Sequence, residues 1–424
     1  MKTLRLPLSI LLLVSLALVA VPYVAFPAHA QSTGSATFTV EETTFASNYP
    51  RGMAFTIRAT SSAGEITRAT LYYVLRPGTR ERANAEFDPD LEAWVARPYE
   101  TGGLPPWIDF DYYWALSDSA GNTFETDPQH GIYADHTREW YHLDTEDLTL
   151  HWFGFSEDFG DMVAEAMAAM RENFVAGWGR TLSYKPIVIF FPEGDVWGEF
   201  QQGGANSRAA GFTNNGWGYS LQRLASERPP DFLLECVQRW GYPLERPLEW
   251  RLQRGASTVV HEITHMYQSD FRVGGPAWWV EGQADYFAWL TGLDSDPNER
   301  LANLLSVTND LPTLQGEGPA LGVHTLAADS CNGLGYDMGN AFIRWLLDNY
   351  GGLETHRRIV ERMQTRDGLD VALEEATGSS FLELENQWRA TWGLPPVAPP
   401  PTPTPFVFPT APPMVVPTSP GGGG

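Results

Sequence analysis

Polar and apolar residues alternate along the chain from about Ser35 to Tyr133. SATFTVEETTF, MAFTIRAT and ITRATLYYVLR each put every second side chain on one face, and FDYYWALSDSAGNTFE resumes the rhythm. A period of two predicts strands with one buried face. Gly64, Pro77-Gly78 and Asp118-Ser119-Ala120-Gly121-Asn122 fall between these runs, where turn-forming residues are needed. Short strands at this spacing predict an all-β, immunoglobulin- or fibronectin-like sandwich over residues 31–135.

The pattern changes after His136. LTLHWFGF (148–155) reads as a strand, and DFGDMVAEAMAAMRENFVAGWG has helical periodicity up to a glycine stop. KPIVIFFP is a continuous apolar run, as in a strand buried on both faces. AAGFTNNGWGYSL predicts a hairpin turning at Asn214-Asn215-Gly216. Helices follow: one through VVHEITHMYQ capped by Ser257 or Thr258, then AWWVEGQADYFAWLTG, then the stretch from YDMGNAFIRWLLDNYG to FLELENQWRATWG. Strands first and helices afterwards predict an α+β domain over 136–393.

Both ends of the 424 residues read differently. Lys2 and Arg5 precede an apolar run from Leu6 to Val21, and Ala28-His29-Ala30 fits a cleavage site. Residues 1–30 therefore read as a secretory signal, with a retained membrane anchor as the alternative. Residues 394–424 are rich in Pro, Thr and Gly and read as a disordered, extended stalk suited to cell-surface association. No later stretch is apolar for long enough to span a bilayer. The expected location is thus extracellular, either free or at a cell surface. A formal charge of −24 repels phosphate backbones and anionic lipids, which argues against nucleic-acid and membrane-surface partners. Cys236 and Cys331 could form one disulfide in an exported chain, or remain two buried thiols.

The candidate chemistry lies in VVHEITHMYQ. Positions i and i+4 share a helix face, so His261 and His265 can aim ring nitrogens at one point, as a zinc ion requires. Glu262 stands beside them as a general base. The competing reading is an ordinary amphipathic helix, but Val259, Val260, Ile263 and Met266 make poor company for unpartnered imidazoles. After the break at Gly274-Gly275-Pro276, Glu281 is a carboxylate amid Trp278, Trp279, Val280, Tyr286 and Phe287. Such an acid is buried only when paired or bound to metal, which makes it the candidate third ligand. One turn on, Asp285 could accept the second ring N–H of a ligand histidine; otherwise it is a surface acid.

HEITH followed by PAWWVEGQADYF resembles the gluzincin metallopeptidases, the peptidase MA-like group related to thermolysin. The resemblance covers roughly residues 145–393. It implies one catalytic Zn2+ on His261, His265 and Glu281, with Asp285 orienting a histidine. The spacing from His265 to Glu281 is shorter than in thermolysin. The resemblance also implies an oxyanion donor, either Tyr336 at the start of a helix or His324 in LGVHTLAADS. It further implies an edge strand beside the active helix, where Gly211 and Phe212 would line the cleft. Trp278 and Trp279, flanking Glu281, are further candidates for its walls. The expected function is hydrolysis of peptide bonds in a peptide or protein substrate. The contrasting expectation is a non-catalytic extracellular binding or adhesion protein that keeps a metallopeptidase-like scaffold.

Overall fold

The computed structural model describes residues 36–75, 78–100, 102–192, 210–231, 234–239, 241–306, 311–315 and 333–398. His324 and Cys331, the expected signal segment and most of the expected stalk lie outside these residues. The described residues fall into two compact units, which divide between Glu139 and Trp140.

The first unit is all β. Strands β1 (Phe38–Ser47), β2 (Met53–Ser61), β6 (Ala93–Ala96) and β5 (Glu86–Asp88) form one sheet in the order β1-β2-β6-β5. Strands β4 (Thr79–Asn84), β3 (Ile66–Leu75), β7 (Ile108–Asp118) and β8 (Thr123–Glu125) form another in the order β4-β3-β7-β8, and β9 (Gln129–Tyr133) also pairs with β7. β7 follows the predicted alternation residue by residue. Ile108, Phe110, Tyr112, Trp114 and Leu116 are buried, and the residues between them are half-exposed. The two sheets meet through aromatic rings: Phe45 of β1 lies 5.3 Å from Phe110 of β7, and Phe55 of β2 lies 4.9 Å from Tyr112. Such pairs add about 0.5–1.5 kcal/mol each beyond simple burial. The predicted turn at 118–122 is closed by Asp118, whose Oδ1 accepts from the N–H groups of Ala120 and Asn122 at 3.0 and 2.8 Å.

The second unit combines a five-stranded sheet with helices. Its strands are β10 (Tyr141–Asp144), β11 (Thr149–Trp152), β12 (Ile187–Phe191), β13 (Gly211–Asn214) and β14 (Tyr219–Arg223), in the order β10-β11-β12-β14-β13. As the periodicity predicts, a helix falls between β11 and the apolar run of β12. β11, β12 and β14 run parallel, and helix α1 (Asp158–Trp178) crosses between β11 and β12. The apolar run of β12 is explained by burial of all five of its residues. The hairpin expected at 214–216 is present, but its turn is four residues long, because Asn214 still pairs with Tyr219. Among the described residues β13 is the edge strand of this sheet.

The remaining helices are α2 (Leu234–Arg239), α3 (Leu248–Asp270), α4 (Ala277–Leu290), α5 (Pro297–Leu305), α6 (Leu334–Tyr350), α7 (Leu353–Met363), α8 (Leu369–Thr377) and α9 (Phe381–Thr391). α3 starts at Leu248, not at the expected Ser257/Thr258 cap; those two residues are buried in its interior. Gly255 lies inside this helix, ahead of the expected cap. In the fold it allows close approach, since a Cβ there would meet Phe190 of β12 at 3.0 Å and Phe159 of α1 at 3.2 Å. Phe174 of α1 stacks on Tyr267 of α3 at 4.4 Å and on Phe287 of α4 at 5.1 Å, holding the two helices that carry the site. α4 and α6 cross glycine to glycine: a Cβ on Gly282 would meet the Gly339 carbonyl carbon at 2.5 Å. No helix among the described residues is long and apolar enough to cross a membrane. Cys236 is buried and disulfide-bonded. The first residues of the proline-rich segment are held by α9, where Arg389 Nε donates to the Pro395 carbonyl at 2.8 Å and Val397 N donates to Asn386 at 2.7 Å.

Candidate metal centre

α3 carries His261 and His265 on one face, and α4 brings Glu281 opposite them. His261 Nε2 and His265 Nε2 are 3.2 Å apart, and Glu281 Oε2 lies 3.4 and 3.3 Å from them. Zinc bonds of about 2.0–2.1 Å in a tetrahedral arrangement require donor atoms about 3.3–3.4 Å apart. The three atoms therefore fit one face of such a site. Glu281 Oε2 is buried and makes no hydrogen bond among the described residues, which a coordinating oxygen needs and a structural carboxylate avoids. Burial would raise the Glu281 carboxyl, but the two imidazoles beside it hold it down at about 2. Burial would likewise lower His261, yet Asp285 and Glu281 push it up to about 10; burial would also lower His265, but Glu281 and Glu262 raise it. Together the two imidazoles and the carboxylate supply the nitrogen and oxygen donors of a catalytic zinc set, and the residues fit the ion.

The second ring nitrogens are also engaged. His261 Nδ1–H donates to Asp285 Oδ1 at 2.8 Å, and His265 Nδ1–H donates to Gln268 Oε1 at 2.8 Å. Both rings thus turn their Nε2 lone pairs to the same point. Asp285 is buried and meets the guanidinium of Arg300 on α5 at 2.6 Å; Arg300 and His261 hold its carboxyl far below the usual range against burial. Arg300 in turn faces Asp337 of α6 at 3.4 Å. Neither Arg300 nor Gln268 stood out in the sequence. Gln268 offered a signal, because it follows His261 and His265 at i+7 and i+3 on the same helix face.

Glu262 lines the same cavity but is not among the three converging donors. Thr213 of β13 donates to its Oε2 at 2.6 Å, leaving Oε1 toward the cavity. Gly211 lets the carboxylate sit where it does, because a Cβ at that position would lie 2.7 Å from Glu262 Oε1 and push the side chain aside. The cavity is about 500 Å³, and Gly211, Phe212, Thr213, Glu262, Glu281 and Tyr336 are among the residues that line it. Tyr336 lies in the first turn of α6, with its ring 6.0 Å from that of His261. Burial and the neighbouring carboxylates Glu281, Asp285 and Glu262 raise its hydroxyl far above the usual tyrosine range, so it stays protonated at neutral pH. Trp278 and Trp279 do not line the cavity. Both are fully buried, Trp278 against Phe342 and Phe381 and Trp279 against His356. The helix turns them away from Glu281 into the interior of the unit.

No protein-family model and no curated protein sequence matches the chain. Among solved structures, it is similar to the M1 zinc metallopeptidase from Deinococcus radiodurans, at 13% identity over 85% of this chain and 93% of that one, with a TM-score of 0.34. It is also similar to an aminopeptidase N family protein from Idiomarina loihiensis, at 8% identity over 82% of this chain and 72% of that one, with a TM-score of 0.32. A β-1,3-glucan-binding carbohydrate-binding module of family 56 matches 23% of this chain and 99% of its own length, at 8% identity and a TM-score of 0.15. These likenesses are too distant to carry a function, so the functional reading is built on the site itself.

Proposed function

We propose that the chain is an exported, zinc-dependent peptidase of the gluzincin type that acts on peptide or protein substrates. The observation that carries this reading is the convergence of His261 Nε2, His265 Nε2 and Glu281 Oε2, 3.2–3.4 Å apart, with the carboxylate of Glu262 kept out of the set. Zinc held there supplies Lewis-acid polarisation of a carbonyl and acidifies water. Glu262 takes the proton of the attacking water on Oε1, while Thr213 fixes its other oxygen, and then returns the proton to the leaving amine. Tyr336, still protonated, donates to the oxyanion that develops on the scissile carbonyl. β13, the last strand in the order β10-β11-β12-β14-β13, aligns an extended substrate along the cavity that Gly211, Phe212 and Thr213 line. Asp285 and Gln268 keep the ligand rings oriented throughout.

The N-terminal unit accompanies this domain as an immunoglobulin-like module. Its orders β1-β2-β6-β5 and β4-β3-β7-β8 correspond to strands A-B-E-D and C′-C-F-G of such a sandwich, which supports that reading. The apolar segment after Lys2 and Arg5 is the export signal, and the proline-rich tail is a stalk. Metal analysis together with mass-spectrometric profiling of a diverse peptide mixture tests the activity. The wild type is expected to hold one zinc and cut peptides. Glu262→Gln should keep the zinc and lose about 10²–10⁴-fold in rate. Wild-type cleavage by that variant would remove Glu262 from the mechanism.

A further inference from the structure

Gln268 orients a metal ligand, and behind it Gln283 and His356 are buried polar residues with no part in the chemistry above; the three form one continuous chain that ends on His265. Gln268 Oε1 accepts from His265 Nδ1–H at 2.8 Å, and Gln268 Nε2 donates to Gln283 Oε1 at 2.9 Å and to the Val280 carbonyl at 2.7 Å. Gln283 Nε2 donates to His356 Nε2 at 3.1 Å, and His356 Nδ1–H donates to the Gly177 carbonyl at 2.7 Å.

Two backbone carbonyls set the direction of this chain, because a carbonyl can only accept. Gly177 O forces the proton of His356 onto Nδ1, which leaves Nε2 as an acceptor. Gln283 must then present its NH₂ to His356 and its oxygen to Gln268. Gln268 must answer with its own NH₂, and Val280 O demands the same orientation independently. The oxygen of Gln268 is therefore left for His265, whose proton must sit on Nδ1. Its Nε2 lone pair is free.

We propose that Gln268, Gln283 and His356 are positioning residues: a one-way hydrogen-bond relay that locks His265 in its metal-binding tautomer from a carbonyl at the end of α1. This inference rests on the reading of the site as a zinc centre. The other tautomer would put a hydrogen between His261 Nε2 and Glu281 Oε2, and would set oxygen against oxygen at one end of the relay. The relay draws on α1, α3, α4 and α7, so one ligand ring is oriented by four helices. His356 is caged by the rings of Trp178 at 5.1 Å and Phe287 at 5.3 Å. Burial lowers its pKa to about 4, which keeps Nε2 an acceptor at neutral pH. His261 is oriented differently, by the charged pair Asp285–Arg300.

The test measures zinc affinity of the full chain by competition with a chromogenic chelator, and the absorption bands of the cobalt-substituted protein. The variants are Gln268→Leu, Gln283→Leu, His356→Leu and His356→Gln, whose amide oxygen can accept from Gln283. Zinc affinity should fall about 10- to 100-fold for Gln268→Leu, less for Gln283→Leu and least for His356→Leu. The cobalt bands should shift in the same order, and His356→Gln should return most of both signals. If His356→Leu does not fold, the two glutamine variants carry the test. Leucine variants with wild-type affinity and cobalt bands would overturn the relay. So would losses that merely follow the melting temperature of chelator-treated protein and are not rescued by His356→Gln. A wild type that takes up no zinc would instead overturn the metal centre, and the relay with it.

Discussion

Asp118 and Asp135 in the first unit, and Glu281 and Asp285 in the second, are all acids withdrawn from water, but their surroundings differ. Asp118 accepts from two backbone N–H groups of its own turn and from Ser61 Oγ at 2.7 Å. Asp135 is bound by Thr137 at 2.6 Å and Arg138 at 2.9 Å. Asp135 closes its own piece of chain, and Asp118 closes its turn and ties it to the end of β2. Within the second unit, Glu385 does similar work at longer range. It is fully buried and accepts from Thr313, Leu314 N and Gln315 at 2.8–3.0 Å, pinning residues 311–315. Glu281 has no such satisfaction; its buried oxygen faces two imidazoles and the cavity. Acids withdrawn from water are thus common to both units, and what marks the site is an acid whose buried oxygen faces two imidazole nitrogens that also converge on each other.

The largest effect that could break this contrast comes from Glu281→Ala. It should remove zinc from the purified protein and lower peptide cleavage by more than about 10²-fold. Asp118→Asn should leave cleavage alone and lower the melting temperature of the first unit, because the turn loses its charged acceptor. Full zinc content in Glu281→Ala would show that the third ligand lies elsewhere. Next is Gly211→Ala. Its methyl group displaces the Glu262 carboxylate, so the rate should drop by about 10²-fold while zinc stays bound. An undiminished rate would mean that the carboxylate does not act from this position.

Asp285→Asn probes the support behind His261. Zinc affinity should weaken by about 10- to 100-fold, whereas Glu385→Gln should leave zinc affinity intact and cost about 3 kcal/mol of stability. Equal effects of the two substitutions on zinc would erase the distinction between site acid and structural acid.

The smallest effect concerns pH. His356 is buried with its pKa lowered by burial to about 4, and burial with the charge of His142 lowers His151 to about 3. Their unfolded counterparts titrate near about 6.5, so between pH 6.5 and 4 the unfolded chain binds more protons. Their contribution is therefore present above pH 6.5 and is lost as pH falls toward 4, by up to about 1.4 kcal/mol per pH unit for each group. His261, raised to about 10, contributes fully throughout this window in chelator-treated protein and adds no slope. The first unit has His130 and His136 exposed. Calorimetry of chelator-treated protein from pH 6.5 to 4.5 should therefore show the second unit losing stability faster than the first. Equal slopes would contradict the neutral, buried state of His356 and His151.

What the sequence determined was local. Alternation placed β1, β2, β3 and β7, because the period of a strand is written in consecutive residues. The i, i+4 spacing put His261 and His265 on one face, and the isolated acid amid tryptophans singled out Glu281 for the same reason. Tertiary structure decided what depends on partners far apart in the chain. Gly255 became a packing contact inside α3 because β12 and α1 come against it, and β14 joined β12 in parallel through a connection no local pattern reveals. Trp278 and Trp279 went into the core because α6 and α9 lie on that side of α4. Thr213 and Arg300 reached Glu262 and Asp285 from other elements of the unit. The protons of His265 were settled farthest away, at Gly177, 88 positions earlier in the chain. Spacing along one helix can aim two nitrogens at a metal, but only packing among four helices fixes which nitrogen is free to bind it.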